Sequence, residues 1–188
     1  MKLLPLASEP FIVPTDRDML PSERREFVRT HRTCVFGYAR RGDGPSMSIT
    51  YFIPTDKDEL LISTMRGRAK ARAAGRNGKV SLCVLDERWP FAYLQVYCDA
   101  EVDDDPELVA DVMMAVGGRM SGKPLPEAAR AAVAEMAKRE DRVVIRCRPY
   151  STFASPPRHL AANDQKEKIT HWLTGSVPWE ASDPEGRS

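Results

Sequence analysis

The feature that most constrains the fold is a series of strand-like segments separated by turn-forming residues. Each segment is rich in β-branched, aromatic or other apolar side chains. The segments span residues 33–39, 46–53, 59–64, 80–85, 91–102 and 142–153. Between the first two, the run Arg41-Gly42-Asp43-Gly44 is typical of a hairpin turn. Six strands at such short spacing predict a β-barrel or a β-sandwich.

Helices are predicted at four junctions of this series, so the class is mainly β with helices, or α+β. The first helix begins at residues 21–23 and runs to Thr30, and a second follows Gly67, where alanines favour helix. A third is capped near Asp105 and is predicted to end at Gly117-Gly118, because glycine commonly ends helices. A fourth spans residues 126–139.

The whole-chain properties indicate one globular domain with extensions. The chain has 188 residues, a formal net charge of +1 and 42% hydrophobic residues. We predict an N-terminal extension at residues 1–20, the barrel domain at 21–154 and a C-terminal extension at 155–188. No run approaches the roughly 20 apolar residues that span a bilayer. Pro5 interrupts the start of a signal-peptide core, so we expect a cytoplasmic protein without a membrane partner.

The cysteines and histidines show no spacing typical of a metal site or of a catalytic nucleophile. We expect the cysteines to be buried free thiols, at Cys34, Cys83, Cys98 and Cys147. The histidines are isolated, at His31, His159 and His171. The sequence therefore predicts no metal and identifies no catalytic residue.

A basic segment separates the third strand from the fourth. From Leu60 to Leu85 there is no acid, and there are six cations: Arg66, Arg68, Lys70, Arg72, Arg76 and Lys79. A strand followed by glycine and a helix start exposes backbone N–H groups, and the helix dipole adds positive potential there. We therefore predict an anion site, with phosphate as its ligand. The alternative is that these cations only solvate one helix face.

An acidic segment from Asp99 to Asp111 is the counterpart of the basic one. It holds seven acids and no base, at Asp99, Glu101, Asp103, Asp104, Asp105, Glu107 and Asp111. We interpret them as solvent-facing acids of an edge strand and of a helix cap. The alternative is a catalytic carboxylate pair.

Three stretches of the chain resemble one protein family. Residues 59–72 (ELLISTMRGRAKAR), 79–86 (KVSLCVLD) and 93–96 (YLQV) look like the pyridoxamine-phosphate-oxidase-like FMN-binding split β-barrel family. The likeness covers about residues 23–153 and is closest to the flavin/deazaflavin oxidoreductases that bind coenzyme F420 or FMN. It implies a six-stranded antiparallel split β-barrel and a homodimer with the cofactor in a groove between the subunits.

The resemblance also implies which residues bind the cofactor. Arg68 and Lys70 would hold its phosphate, and Ser63 and Thr64 would contact the phosphate or the polyol linker. Ile62 is placed in the same site. The remaining positions are Ser48 and Thr50 beside the ring, Trp89, Pro90 and Phe91 from the partner subunit, and Arg66, Arg72 and Arg76 for the acidic tail of F420.

The resulting hypothesis is an oxidoreductase. It transfers hydride between reduced F420, or alternatively FMN, and a small conjugated carbonyl or quinone-like acceptor. Two other classes remain open: a noncatalytic flavin or deazaflavin carrier or sensor, and a nucleic-acid-binding module. The nearly neutral charge balance argues against nucleic acid as a partner. The segment with Trp172 and Trp179 has three possible positions: on the barrel, across to the partner, or over the groove.

Overall fold

The computed structural model describes residues 1–7, 9–14, 17–89, 91–155 and 176–184. Within these ranges the chain forms eight β-strands, four α-helices and one 3-10 helix at Glu127–Ala129. In chain order the regular elements are α1 (Pro21–Thr30), β1 (Thr33–Tyr38), β2 (Ser46–Tyr51), β3 (Ile53–Pro54), β4 (Leu60–Met65), α2 (Ala69–Asn77), β5 (Lys79–Asp86), β6 (Ala92–Asp103), α3 (Pro106–Ser121), α4 (Arg130–Arg139), β7 (Arg142–Ser155) and β8 (Val177–Pro178). None of the helices in these ranges is long and apolar enough to cross a bilayer.

The strands form one antiparallel sheet that curls on itself. Its order is β2-β1-β5-β6-β7-β4-β3, with β8 pairing β7. The two ends of this order, β2 and β3, are separated along the chain by the single residue Phe52. The two ends must therefore lie close together, and the sheet becomes a barrel that is split between β2 and β4. The predicted fold class is confirmed.

The strand count differs from the prediction in two places. All six predicted strands are present, but the one expected at residues 46–53 breaks at Phe52, where the chain leaves the ladder with β1 and joins the ladder with β4. The backbone N–H of Phe52 donates to the carbonyl of Arg32 at 3.2 Å. Pairing changes from one end of the sheet to the other, so a single straight strand is impossible. The second difference is an additional strand, β8, which lies in the C-terminal segment and pairs with β7.

The main core lies on the inner face of the barrel. Phe36 on β1, Leu82 on β5 and Leu94 on β6 are fully buried there, together with Phe27 from α1. The alternating burial along β5 shows that every second side chain points inward. Each such side chain contributes about 1.5–3 kcal/mol by leaving water. These residues fix the inner face against which the basic segment is positioned.

The prediction that α3 ends at Gly117-Gly118 was wrong. The helix continues to Ser121 and ends at Gly122, whose φ of 75° is left-handed. A Cβ added at Gly117 would meet Leu125 Cδ1 at 2.5 Å, and at Gly118 the backbone of residues 123–125 lies within 4 Å. The two glycines therefore serve close approach of the returning chain rather than helix termination.

A second core lies between α3, α4 and the opposite face of β4. Leu61 packs there with Val109 and Val112 of α3 and with Val144 of β7, whereas Ile62 packs into the main core. Adjacent residues of β4 thus serve two different cores. Because side chains alternate along a strand, Ser63 faces the same side as Leu61.

Residues 176–184 of the C-terminal segment pack on the barrel of the same chain. Val177 pairs with Thr152, and Trp179 is only 6% exposed within the main core. Arg25 donates to the carbonyls of Trp179 and Ala181 at 2.7 and 3.1 Å. Of the three predicted positions, packing on the barrel is observed for Trp179. Other residues interpreted from the sequence lie outside the described residues: Pro90, His159, His171 and Trp172.

Substitution by alanine should have opposite effects at Gly75, inside α2, and at Gly78, the residue that caps its C-terminus. We expect Gly75→Ala to stabilise the protein by about 0.5–1 kcal/mol, because the residue lies in a helix interior and its new Cβ meets Val102 only at 3.6 Å. Gly78→Ala should destabilise by about 1–2 kcal/mol, because its φ is +62°. Urea denaturation measures both. A lower midpoint for Gly75→Ala would contradict the stabilising prediction.

Candidate functional site

The site begins at the junction of β4 and α2. The chain turns through residues 66–68, and Arg68 is the N-cap of α2 in an extended conformation. No side chain caps this helix start, and its first turn carries no acid. The first backbone N–H groups of the helix therefore lack side-chain partners, and the dipole favours negative charge beside them.

The acidic segment neutralises the two outer cations of the basic segment. Arg66 forms ion pairs with Asp104 at 3.0 Å and with Asp141 at 3.1 Å. Lys79 forms an ion pair with Asp99. The cations at the two ends of the basic segment therefore already have counterions. The positive charge of Arg66 is therefore largely compensated before any cofactor binds.

The remaining acids of that segment are also paired or serve as caps. Asp103 accepts from Arg146 at 2.7 Å, and Asp105 caps α3 by accepting from the N–H of Glu107 at 3.0 Å. Glu101 pairs with Arg148. The ladder with β5 ends at Asp99, so residues 100–103 lie on a local edge of β6. These contacts favour the edge-strand and cap interpretation over a catalytic carboxylate pair.

The inner cations of the basic segment have no such partners. Arg72 donates to the carbonyl of Gly67 at 2.7 Å, and Arg76 donates to the carbonyl of Ala39 at 3.5 Å. Arg68 is exposed, and Lys70 is half-buried. Within the described ranges, no carboxylate pairs with any of these four side chains. Of these uncompensated cations, Arg68, Lys70 and Arg72 lie at the start of α2, and Arg76 lies in its last turn.

Lys70 occupies the most constrained position of the group. Its Nζ lies 5.7 Å from the centroid of the Phe36 ring. Burial lowers the pKa of Lys70, and the neighbouring Arg68 lowers that pKa further. The fold therefore holds a half-buried ammonium group with which no carboxylate of the described ranges pairs. A bound anion would offset both penalties.

Ser48 lies on the strand beside this group. In the β1–β2 ladder Ser48 is opposite Phe36, and Thr50 is opposite Cys34, so both face the inner side of the barrel. The Ser48 hydroxyl is buried and has no hydrogen-bond partner among the described residues. An unpartnered hydroxyl, two uncompensated cations and an uncapped helix start together fit a ligand that carries a phosphate.

The predicted residues of β4 divide between its two faces. Ile62 and Thr64 are 0% and 4% exposed on the main-core side, so they support the site as part of its wall. Ser63 points the other way and lines a cleft of about 320 Å³ together with Thr50. Sequence reasoning missed the helical walls of this cleft. Its only signal in the sequence was the methionines of α3 and α4.

Trp89 and Phe91 lie in the loop between β5 and β6. Trp89 is 74% and Phe91 48% exposed. The nearby outer face of the sheet is also apolar, with Met47 and Ile49 at 70% and 77% exposure. Trp89 and Phe91 are therefore surface side chains of this loop.

A larger cavity of about 560 Å³ surrounds His31. The His31 Nδ1 lies 2.6 Å from the carbonyl oxygen of Phe27, and its Nε2 lies 3.7 Å from Asp86. Burial lowers the pKa of His31, which favours the neutral ring. Arg88 holds Asp86 through two hydrogen bonds. In the described part of the chain, no group of His, Cys, Asp and Glu is arranged for a metal.

The sequence of the chain matches a known protein family. Residues 20–154 match the sequence model of pyridoxamine 5'-phosphate oxidase, and the chain belongs to this family. The resemblance inferred from the sequence is thereby confirmed. No curated protein matches the chain.

Solved structures share the fold. A conserved hypothetical protein of Mycobacterium tuberculosis, Rv2991, is 22% identical with a TM-score of 0.66, covering 79% of this chain and 92% of that one. A putative pyridoxamine 5'-phosphate oxidase of Listeria innocua is 15% identical with a TM-score of 0.50, covering 71% and 96%. HutZ, a heme storage protein of Vibrio cholerae, is 17% identical with a TM-score of 0.50, covering 70% and 89%. At these identities the similarity establishes the fold alone.

Proposed function

We propose that this protein is an oxidoreductase that binds F420, or alternatively FMN, and transfers hydride to a small conjugated carbonyl or quinone-like acceptor. The observation that carries the proposal is the half-buried, uncompensated Lys70 beside Arg68 at an uncapped helix start. Such an arrangement is unfavourable without an anion and favourable with one. The family resemblance indicates that the anion is a cofactor phosphate.

Each residue of the site has a distinct role in holding the cofactor. The Arg68 guanidinium can donate to two phosphate oxygens, and the Lys70 ammonium supplies a point charge. The Ser48 hydroxyl gains the partner that it otherwise lacks. Thr50 borders the ring, and Ile62 and Thr64 keep β4 fixed behind it. When bound, the reduced cofactor supplies the hydride, and the acceptor takes one proton from solvent.

The preference for F420 over FMN rests on charge and on the family branch. F420 carries an acidic tail beyond its phosphate, and Arg72 and Arg76 are exposed near the phosphate site. Arg66 contributes less than the sequence indicated, because Asp104 and Asp141 already pair with it. FMN needs only the phosphate contacts.

We further propose that two copies of the chain form the complete site. Val35, Met47, Ile49 and Cys83 form an apolar outer patch, in which Val35 lies opposite both Ile49 and Cys83 in the sheet. Exposed apolar patches of this kind commonly mark interfaces. As the resemblance implies, the Trp89 and Phe91 loop of the second copy would cover the cofactor ring.

Titration with matched ligands tests the proposal. We expect F420 or FMN to bind with a micromolar or lower Kd, measured by absorbance and fluorescence. Riboflavin is the control, because it lacks only the phosphate of FMN, and it should bind at least about tenfold more weakly. Equal affinity for FMN and riboflavin, or binding of neither F420 nor FMN, would refute the proposed site.

A second measurement separates an enzyme from a carrier. Reduced cofactor bound to the protein is mixed with enones and quinones, and its reoxidation is followed against protein-free controls. Acceptor-dependent reoxidation that is faster with protein supports the enzyme. Tight binding with no such acceleration indicates the carrier or sensor.

A further inference from the structure

The cleft at the split of the barrel is bounded by both ends of the sheet and by two helices. β2 and β4 supply its floor through Thr50 and Ser63, and α3 and α4 supply its walls. Its volume is about 320 Å³. The walls are mostly apolar, with Met113, Val116, Met120, Val133 and Met136, and Tyr51 and Arg142 also border the cleft.

The glycine pair of α3 shapes this cleft. Because Gly117 has no side chain, Leu125 lies against the helix and also lines the cleft. Ser121 holds the turn by donating to the carbonyl of Lys123 at 2.9 Å. The methionine walls are flexible and polarisable, so they can adapt to ligands of different shape. The cleft is therefore a formed cavity with adaptable sides.

Four polar side chains, Thr50, Tyr51, Ser63 and Arg142, line this cleft among the apolar ones. The Ser63 hydroxyl is buried and has no hydrogen-bond partner in the described part of the chain. Leu61, two residues earlier on the same face of β4, is buried in the second core. Burying a hydroxyl without a partner is unfavourable, so Ser63 is poised to bond an oxygen of a ligand.

The cleft opens beside the proposed cofactor site. Thr50 lines the cleft and lies one strand repeat from Ser48, about 7 Å along the same inner face of β2. Ser48 is in turn opposite Phe36, over which Lys70 is placed. A cofactor whose phosphate is bound at Lys70 can thus extend along β2 toward the cleft.

We propose that this cleft binds the acceptor, a small and mostly apolar molecule with a carbonyl or quinone oxygen that accepts a hydrogen bond from Ser63. Ser63 is assigned here to the acceptor and not to the phosphate. The role as acceptor site rests on the proposed function, whereas binding in the cleft does not. In the reaction a quinone gains hydride from the reduced cofactor and one proton from water, and it leaves as the hydroquinone. Ser63 orients the oxygen and keeps its own proton.

The test uses cofactor-free protein with ¹³C-labelled methionine methyl groups. Menadione, a small quinone, is titrated while the methyl resonances are recorded by NMR. We expect Met113, Met120 and Met136 to shift in a saturable manner, while Met47 on the outer patch stays unchanged. Absence of saturable shifts at the three cleft methionines would overturn the proposal.

A matched ligand and matched variants isolate the hydrogen bond. Ser63→Ala should weaken menadione binding about fivefold and leave 2-methylnaphthalene, which lacks the oxygens, unchanged. Val133→Phe should weaken both ligands by filling the cleft, and Ser81→Ala on β5 should affect neither. Equal loss of both ligands in Ser63→Ala would contradict the assigned contact. Cofactor binding without menadione binding refutes only the cleft, and menadione binding without cofactor binding refutes only the proposed function.

Discussion

Replacing Arg68 and Lys70 together with alanine should lower the affinity for FMN and F420 about a hundredfold and leave riboflavin affinity unchanged. The two side chains supply charge-assisted hydrogen bonds, each contributing about 1.5–3 kcal/mol, and the pair is less than additive. Fluorescence titration measures the change. The matched control is Arg72→Ala with Arg76→Ala, which should weaken F420 binding while leaving FMN binding intact.

The same variant separates binding from folding. Because burial and Arg68 lower the pKa of Lys70, the folded state binds fewer protons than the unfolded state between that lowered pKa and the ordinary 10.5. The stability of the native protein should therefore rise with pH across this window, and the rise should be reduced without Lys70. We expect the denaturation midpoint at neutral pH to be unchanged or higher in the variant. A markedly lower midpoint would indicate a structural role for these cations.

Replacing Met47 and Ile49 together with aspartate should convert a homodimer into a monomer. Both side chains are at least 70% exposed, so the fold of one chain should survive, whereas two carboxylates would be buried unpaired between two copies. Light scattering should show a mass of 21.1 kDa for the variant and twice that value for the native protein. Cofactor affinity should fall in parallel, because the partner's Trp89 and Phe91 loop is lost.

The control for the interface prediction is Ile12→Asp. Ile12 is an exposed isoleucine of the N-terminal segment, 87% exposed, and it lies outside the outer patch. It receives the same change in chemistry and should leave the mass unchanged. If the patch variant keeps the native mass, or if the native protein is itself a monomer at micromolar concentration, the proposed interface is wrong.

Local patterns predicted the regular elements well. The strand at the start of the basic segment and the helix after Gly67 follow from a short apolar run, a permissive glycine and successive alanines. The observed elements, Leu60–Met65 and Ala69–Asn77, begin within one or two residues of these signals. Propensity acts locally, so sequence was sufficient here.

The faces of β4 could not be predicted in this way. Leu60, Leu61 and Ile62 are a continuous apolar run, and such a run does not show which side chain faces which core. The structure places Leu61 and Ser63 toward α3, and only this placement shows that the hydroxyl of Ser63 lines a cleft. The role of Gly117 was hidden for a related reason, because its partner Leu125 belongs to the returning chain.

The ion pairs of the basic segment also could not be predicted from the sequence. The basic segment gave six equivalent cations, but Asp104 and Asp99 lie more than a dozen residues away and neutralise only Arg66 and Lys79. Which cations remained available was therefore a property of the folded sheet. That subtraction leaves four cations, Arg68, Lys70, Arg72 and Arg76, of which Arg68 and Lys70 lie at the start of α2.

The placement of Trp179 has a consequence for the order in which the chain can fold during synthesis. When the ribosome has completed β7, every strand of the barrel except β8 has been made. The main core still lacks the Trp179 side chain, which is only 6% exposed in the folded chain. Two residues of α1 also lack hydrogen-bond partners at that stage. Arg25 donates to the carbonyls of Trp179 and Ala181, and the backbone N–H of Ser22 donates to Asp183. The nascent barrel therefore gains these contacts with its first helix only after the segment near Trp179 has left the exit tunnel.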